Sequence, residues 1–558
     1  MLVKRLYKTS FLLLLLLTVF SCKKLNVTPT DRYTEDNFWQ VNGNVNNALN
    51  TVYNRVFTSQ RFFFNESLSD NAYAQLDVNV GTPSAIASGS DGLFAADLKR
   101  ILDDWTYYYQ GIYSANLLLD NIDRNTSLAA TLKDRMKAEA RFIRAFHYFR
   151  LMTWFGDVPL ITKAWSVNEV ESSRVIKRTP KADMLAFILT ELDAATAGLP
   201  KKEAYGAADQ GRATKAAAKA LKARVLLYQG NRMAEVAALC EDLMNNQANN
   251  GVYNTLQTSY ASIFSPTNEY NSEVIFDLSY IPNVRTYDEP SRFIPISAAS
   301  NVSNNENYNA PTQELVDSYI TASGKAINET GSGYDENNPY INRDPRFAAT
   351  IVYDKAVWTN TDGSTQTIYI KPGTDPSPSK TNELGNGLHT PTGYYWKKYY
   401  DAITAAISSK QFSTNLILLR WSDVLLMYAE AKNSLGQFNA GIWDLTIKPI
   451  RVRAGFTDLL ALNFPGNTAV SITDQIRNER RAEFALESLR IDDIRRWKIA
   501  ETVMNGWVHG AKWGTAGVDN GYLRVTQRVW NPAKHYLWPV PSSEIQKNSN
   551  LLPQNPNW

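Results

Sequence analysis

Between Asp134 and Phe155 the apolar positions return every three or four residues, at Ala138, Phe142, Ala145, Phe149 and Met152. This spacing lays them along one stripe of a helix, with Arg141, Arg144 and Arg150 on its flanks. Gly156-Asp157, followed by Pro159, predicts where that helix stops. Upstream, the segment from Trp105 to Asp123 carries Tyr109, Ile112, Asn116 and Leu119 at comparable spacing and predicts another helix. Ala216, Ala220, Ala223 and Leu227 share one face of a third, and these small residues let a neighbouring helix approach closely. Gly230-Asn231 turns the chain, and Met233 to Leu243 begins an antiparallel partner. A helix, a short turn and a second helix with alanine at the contact is the unit of tetratricopeptide-like arrays. Ser422 to Gly436 predicts a comparable unit, with Ser422 as amino-terminal cap and Gly436 as terminator. No strict repeat of roughly 34 residues is present, so the array is irregular.

From about Glu273 to Ser413 the pattern changes. The stretches "NVSNNENYNAPT", "GSGYDENNPYINRDPRF" and "KPGTDPSPSKTNELGNGLHTPTGYYW" are rich in Asn, Gly, Pro and Thr, with aromatic residues interleaved. Short β-like runs, Val274 to Leu278 and Thr367 to Ile370, punctuate them. This is turn chemistry mounted on a scaffold, and long loops on a scaffold are where binding residues collect. The predicted fold is mainly α: tetratricopeptide-like helix pairs form a helical scaffold, and a loop-rich insert at about 280–412 contains minor β-strands.

The amino terminus carries processing information. Lys4, Arg5 and Lys8 precede an almost unbroken apolar run from Phe11 to Phe20, too short for a stable membrane span but suited to a signal-peptide core. The run ends at Val19-Phe20-Ser21-Cys22, an arrangement similar to a bacterial lipobox in which Cys22 is the lipid-attachment site. Phe20 is bulky for its position, and an ordinary secretory signal is the alternative. Cleavage after residue 21 removes three positive charges and brings the formal charge from +3 to zero. A neutral body has no counterion-release term for nucleic acid, so that class of partner is set aside. Cys240 is then the lone cysteine, read as a small core residue, and stability must come from burial.

Candidate chemistry is sparse. Glu479, Glu483 and Glu487 fall at four-residue spacing, and Arg480, Arg490 and Arg495 are the expected cations of a scaffold ion-pair network. Only four histidines occur, with no His-x-x-x-His, Glu-x-x-His or Cys-x-x-Cys pair, so no metal or cofactor is expected. No Gly-x-Ser-x-Gly elbow or phosphate-cradling loop is found, and "GNGLH" at Gly385 lacks the third glycine. A secreted glycoside hydrolase remains the rival reading, because carboxylates distant in sequence can converge in space.

Six segments stand in order along the chain: "SCKKLNVTPTDRYTEDNFW", "AEARFIRAFHYFRLMTWFGDVPLI", "TKAAAKALKARVLLYQGN", "RWSDVLLMYAEAKNSLG", "IRNERRAEFALESLRIDDIRRWK" and the terminal "YLWPVPSSEIQKNSNLLPQNPNW". Together they resemble the SusD/RagB family of Bacteroidetes lipoproteins. The resemblance implies a signal peptide over 1–21, an amino-terminal helical region over 22–270 and a carboxyl-terminal region over 271–558. It also implies capture, without catalysis, of an oligosaccharide (or, in some members, a peptide) for a SusC-like TonB-dependent transporter. The protein would be lipid-anchored in the outer membrane and would face the cell exterior. Lys23 and Lys24 follow Cys22 where many exported relatives carry acids, which leaves a periplasmic face open. Ligand-binding candidates are aromatics flanked by polar residues outside the scaffold motifs: Tyr73 with Asp70 and Asn71, Tyr287 with Arg292, Tyr308, Trp358, and Tyr394 with Trp396. For the last pair a buried strand is the competing expectation.

Overall fold

In this computed structural model the described residues are 35–74, 99–166, 169–251, 253, 255–298, 309–360, 362–377, 379–385, 390–400, 411–466 and 470–558. Cys22 lies outside them. The helices are α1 (Asn42–Asn54), α2 (Lys99–Asn121), α3 (Ala130–Phe155), α4 (Lys181–Gly198), α5 (Lys215–Gln229) and α6 (Met233–Asn245). They continue with α7 (Gln313–Ser318), α8 (Trp421–Ser434), α9 (Ile447–Ala454), α10 (Ile472–Glu483), α11 (Arg490–Arg496) and α12 (Ser542–Lys547). Most pack on the next in an irregular stack: α1 on α2, α2 on α3, α3 on α4, α4 on α5, α5 on α6, then α6 on α8 and α8 on α10.

Local sequence accounts for these helices. The Ala138–Met152 stripe is buried along its whole length. Thr214 caps α5 by accepting from the Ala217 amide, and Gly230 ends it at φ 76°, a left-handed conformation that suits glycine. The alanines of α5 are buried against α4, α6 and α8, as their size predicts. On α2, Gly111 lets α3 come close: a Cβ there would lie 2.1 Å from His147 Nε2. His147 is fully enclosed, and burial pushes its pKa down to about 3, so it is neutral. Cys240 sits buried on α6, and burial pushes its thiol well up.

Ten short strands form five antiparallel pairs among the described residues. They are β1 (Ala72–Tyr73), β2 (Val274–Leu278), β3 (Ala310–Pro311), β4 (Ile351–Val352) and β5 (Ala356–Thr359), then β6 (Thr365–Ile368), β7 (Tyr395–Trp396), β8 (Leu416–Arg420), β9 (Gly506–Gly510) and β10 (Leu523–Arg528). The pairs are β1–β3, β2–β8, β4–β7, β5–β6 and β9–β10. The run predicted at 367–370 therefore sits two residues earlier, at Thr365–Ile368. Two-stranded pairs are marginal alone, so each depends on the body it packs against.

An ion-pair network lies at the centre, but with partners other than those expected. Arg420, at the end of β8, donates to Glu483 (2.5 Å), Glu273 (3.0 Å) and both oxygens of Glu487 (2.8 Å each). Arg346 bridges Glu479 (2.7 Å) and Glu483 (3.0 Å), and Arg453 also reaches Glu483. Arg451 pairs with Glu479 at 2.8 Å, and Lys398 with Glu487 at 2.6 Å. The expected cations point elsewhere. Arg480 joins Asp423 and Asp493, Arg490 joins Asp70, and Arg495 donates to the carbonyls of Thr153 and Tyr536. The reason is that α10 ends at Glu483. Leu486 and Ser488, at φ 62° and 65°, reverse the chain and carry Glu487 back toward Arg420. Ser422 is likewise no cap, because α8 begins at Trp421 and the Ser422 hydroxyl donates to buried Glu273. The terminal segment docks on the body, with Trp538 ring to ring on Trp154 at 4.3 Å.

Burial pushes the Glu483 carboxyl upward, but Arg453, Arg420 and Arg346 outweigh it and hold the group far below the usual carboxylate range. Its contribution is therefore complete above about pH 4.3, and is lost as pH falls through the lower folded value. Glu483→Ala removes the one carboxylate that three buried guanidiniums share, leaving each with fewer partners, and should cost about 3–5 kcal/mol in urea unfolding. A loss below about 1 kcal/mol would show that the network does not hold the core together.

Candidate ligand face

Two of the sequence candidates are foundations for a surface they do not themselves reach. Asp70 is buried and receives both guanidinium arms of Arg490 at 2.8 Å, with Arg481 at 3.0 Å. Burial acts upward on its carboxyl, yet Arg481 and Arg490 hold it far below the usual range. Asn71 is buried too, donating to Glu66 at 2.6 Å and accepting from Arg481 at 2.7 Å. These contacts present the next two residues as β1, where Tyr73 stands half-buried opposite Ala310. Buried Arg528, the last residue of β10, then donates to the carbonyls of Ser69 (2.7 Å) and Ala72 (2.8 Å). One guanidinium thus ties the β9–β10 hairpin to β1.

The hairpin carries an open surface. Gly506-Trp507-Val508-His509-Gly510 alternates, so Trp507 and His509 share a face while Val508 is buried. Gly510 is required where it stands, because a Cβ would lie 2.4 Å from the Thr392 carbonyl oxygen. Trp507 is 38% exposed, with the Arg524 guanidinium 5.0 Å from its ring centre. Arg524 is in turn paired with Asp519. His509 Nδ1 lies 2.7 Å from Glu314 at the start of α7, and Nε2 lies 3.4 Å from Asp519. The exposed indole therefore shares the hairpin face with His509 and has Arg524 against its ring, with Glu314 and Asp519 linked to these two, all partly exposed. Among the described residues no cluster of His, Cys, Asp or Glu is arranged to hold a metal ion.

The structure brings five of the nine candidates into this neighbourhood. Beneath Tyr73, Asp70 and Asn71 lie Tyr394 and Trp396: the Tyr394 hydroxyl donates to Gln313 at 2.6 Å, and the Trp396 indole N–H to Asn309 at 3.3 Å. Both rings are buried, Trp396 completely, so the buried-strand reading applies and neither offers a face to a ligand. Trp358 is 1% exposed against Tyr400, and Tyr287 is buried with its hydroxyl on the Thr414 carbonyl. Those rings are spent on the core. Arg292 is partly exposed and paired with Asp288 at 2.8 Å. Tyr308 lies outside the described residues. Trp507 and His509 were missed from sequence, although an alternating five-residue run bounded by glycines was the available signal.

These features sit in a chain that belongs to the SusD family. The model described as "SusD family" matches residues 272–558, and one described as "Starch-binding associating with outer membrane" matches 23–227. SusD-like protein P25 of Formosa agariphila is 25% identical over 570 residues, covering 96% of each chain. A SusD-like carbohydrate-binding protein of Bacteroides fragilis superposes with a TM-score of 0.80 at 29% identity, over 92% of this chain and all of that one. A second SusD-like protein of the same organism gives 0.75 at 28%, over 95% of this chain and all of that one. The helical scaffold of tetratricopeptide-like pairs is that of the family. Among the described residues no helix is long and apolar enough to cross a membrane.

The hydrogen bond to Glu314 outweighs burial and, with Asp519, raises the His509 pKa. The stabilisation from this pairing is full below about pH 6.5, the ordinary histidine value, and is lost as pH rises through the folded pKa. Ring NMR titration should place His509 above a histidine peptide, and Glu314→Gln should bring it down. A midpoint unmoved by that substitution would separate His509 from Glu314 in solution.

Proposed function

We propose that this chain is a lipid-anchored outer-membrane protein, facing the cell exterior, that binds an oligosaccharide without acting on it and passes it to a TonB-dependent transporter. The observation that carries the ligand class is Trp507, a flat ring open to solvent with Arg524, His509, Asp519 and Glu314 around it. A pyranose has an apolar face of C–H groups and a rim of hydroxyls. Indole takes the face, and the surrounding groups accept from or donate to the rim. Tyr73 adds a second half-buried ring beyond Arg528. The Bacteroides fragilis neighbour, described as carbohydrate-binding, and the starch-binding description of the amino-terminal match support this reading. The transporter, the lipid at Cys22 and the outward orientation rest on the family resemblance.

The test is titration of the mature chain, from Lys23 onward, with oligosaccharides and peptides while reaction products are monitored in the same tubes. Oligosaccharide binding without turnover, weakened by more than about 1 kcal/mol in Trp507→Ala, is the expected result. Binding of peptides alone would move the chain to peptide capture. Sugar hydrolysis abolished by Glu314→Gln or Asp519→Asn would make it a glycoside hydrolase. Protease treatment of intact cells reports the orientation, since full protection would place the protein on the periplasmic side.

A further inference from the structure

A second cleft, of about 840 Å³, lies between α2 and the carboxyl-terminal segment around α12, and shares no residue with the hairpin face. Its volume falls in the range of about 300–1,000 Å³ typical of ligand sites. Trp105, Tyr109 and Tyr113 line it from α2 at four-residue spacing, one ring per turn, about 6 Å apart along one helix face. Trp105 forms the floor, buried and tilted against Tyr109 at 5.0 Å. The Tyr109 hydroxyl donates to the Pro159 carbonyl at 2.8 Å and holds the loop that carries Trp165 on another wall.

Two of these rings are uncommitted. Tyr113 is 48% exposed and Trp165 half-buried, and neither has a ring or hydrogen-bond partner among the described residues. Most large aromatics in this chain pack against others or hydrogen-bond, so two open rings at the mouth of one concavity stand apart. The charged lining is largely self-neutralised: Lys163 pairs with Glu169, Arg174 with Glu171, and Lys547 with Glu544. Arg55 donates to the Gln110 amide oxygen at 2.7 Å and is the one lining cation for which no carboxylate pair is seen among the described residues. Open aromatic rings in one cleft, with amide and guanidinium donors beside them and a single cation outside the ion pairs, match a neutral pyranose chain better than a multiply charged ligand.

We propose that this cleft is a second saccharide site, which takes a stretch of neutral oligosaccharide by stacking on Tyr113 and Trp165. The proposal rests on the glycan-capture reading, and names a place for sugar that the hairpin face does not include. Both rings are at the surface, so their removal should leave the fold intact, and an unchanged melting curve checks this.

The experiment is calorimetric titration of the mature chain with neutral malto-, laminari-, cello-, manno- and xylo-oligosaccharides, with poly-L-proline as the competing occupant. The variants are Tyr113→Ala/Trp165→Ala, the ring-keeping Tyr113→Phe/Trp165→Phe, and Trp507→Ala. The expected result is that at least one neutral sugar still binds Trp507→Ala. Adding the alanine pair should then weaken that binding by about tenfold or more, while the phenylalanine pair restores most of it. Unchanged affinity and stoichiometry in the alanine pair would overturn the second site while leaving the capture reading intact if Trp507→Ala alone abolished binding. Absence of binding by every neutral sugar to the unmodified chain, or poly-L-proline binding lost in the alanine pair, would overturn it as well.

Discussion

The arrangement depends on one buried charge: the Glu483 carboxylate, enclosed by Arg346, Arg420 and Arg453. Charges in a low-dielectric interior are tolerated only when paired and hydrogen-bonded, so these groups must sit together or the fold is lost. Each comes from a different place, with Arg420 ending β8, Arg453 on α9, Arg346 at the start of the helix after Asp344, and Glu483 ending α10. Satisfying one carboxylate therefore registers the helical stack against the loop-rich insert. Glu479 and Glu487 extend the same constraint to Arg451 and Lys398. Burial lowers the Lys398 pKa to about 8, against the opposing pull of Glu487.

A second, smaller knot follows from the first. Arg481, between Glu479 and Glu483, and Arg490, at the start of α11, share the Asp70 carboxylate, which fixes the segment leading into β1. Arg528 then binds the backbone of that segment and draws in the β9–β10 hairpin. The hairpin that carries the open ring of Trp507 is thus placed by contacts of buried arginines with Asp70 and with the backbone beside it. This is the arrangement a binding face needs, because a stacking ring is useful only if its orientation is set before the ligand arrives.

The division of labour among the aromatics is not written in local sequence. Tyr287, Trp358, Tyr394 and Trp396 lie in Asn-, Gly- and Pro-rich stretches that look like exposed loop, yet all four are buried. Their loops fold back onto the helices, and large rings contribute more by leaving water than by facing it. Trp507 and Trp165, by contrast, stand in short segments whose local composition differs little from the others. Periodicity could not separate the two groups, because it reports which residues share a face and not what covers that face.

The sequence by itself determined the scaffold helices α2, α3, α5, α6 and α8, the breaks at Gly156 and Gly230 and the family to which the chain belongs. These are local properties: side-chain period, cap chemistry and the left-handed tolerance of glycine act within a few residues. Only the tertiary structure decided which arginine meets which carboxylate and which rings remain open. Arg490 and Asp70 are 420 positions apart, and Arg420 and Glu273 are 147 apart, distances over which no sequence period carries information. Those pairings are fixed by the demand that every buried charge find a partner, and that demand acts only once the chain has closed around them.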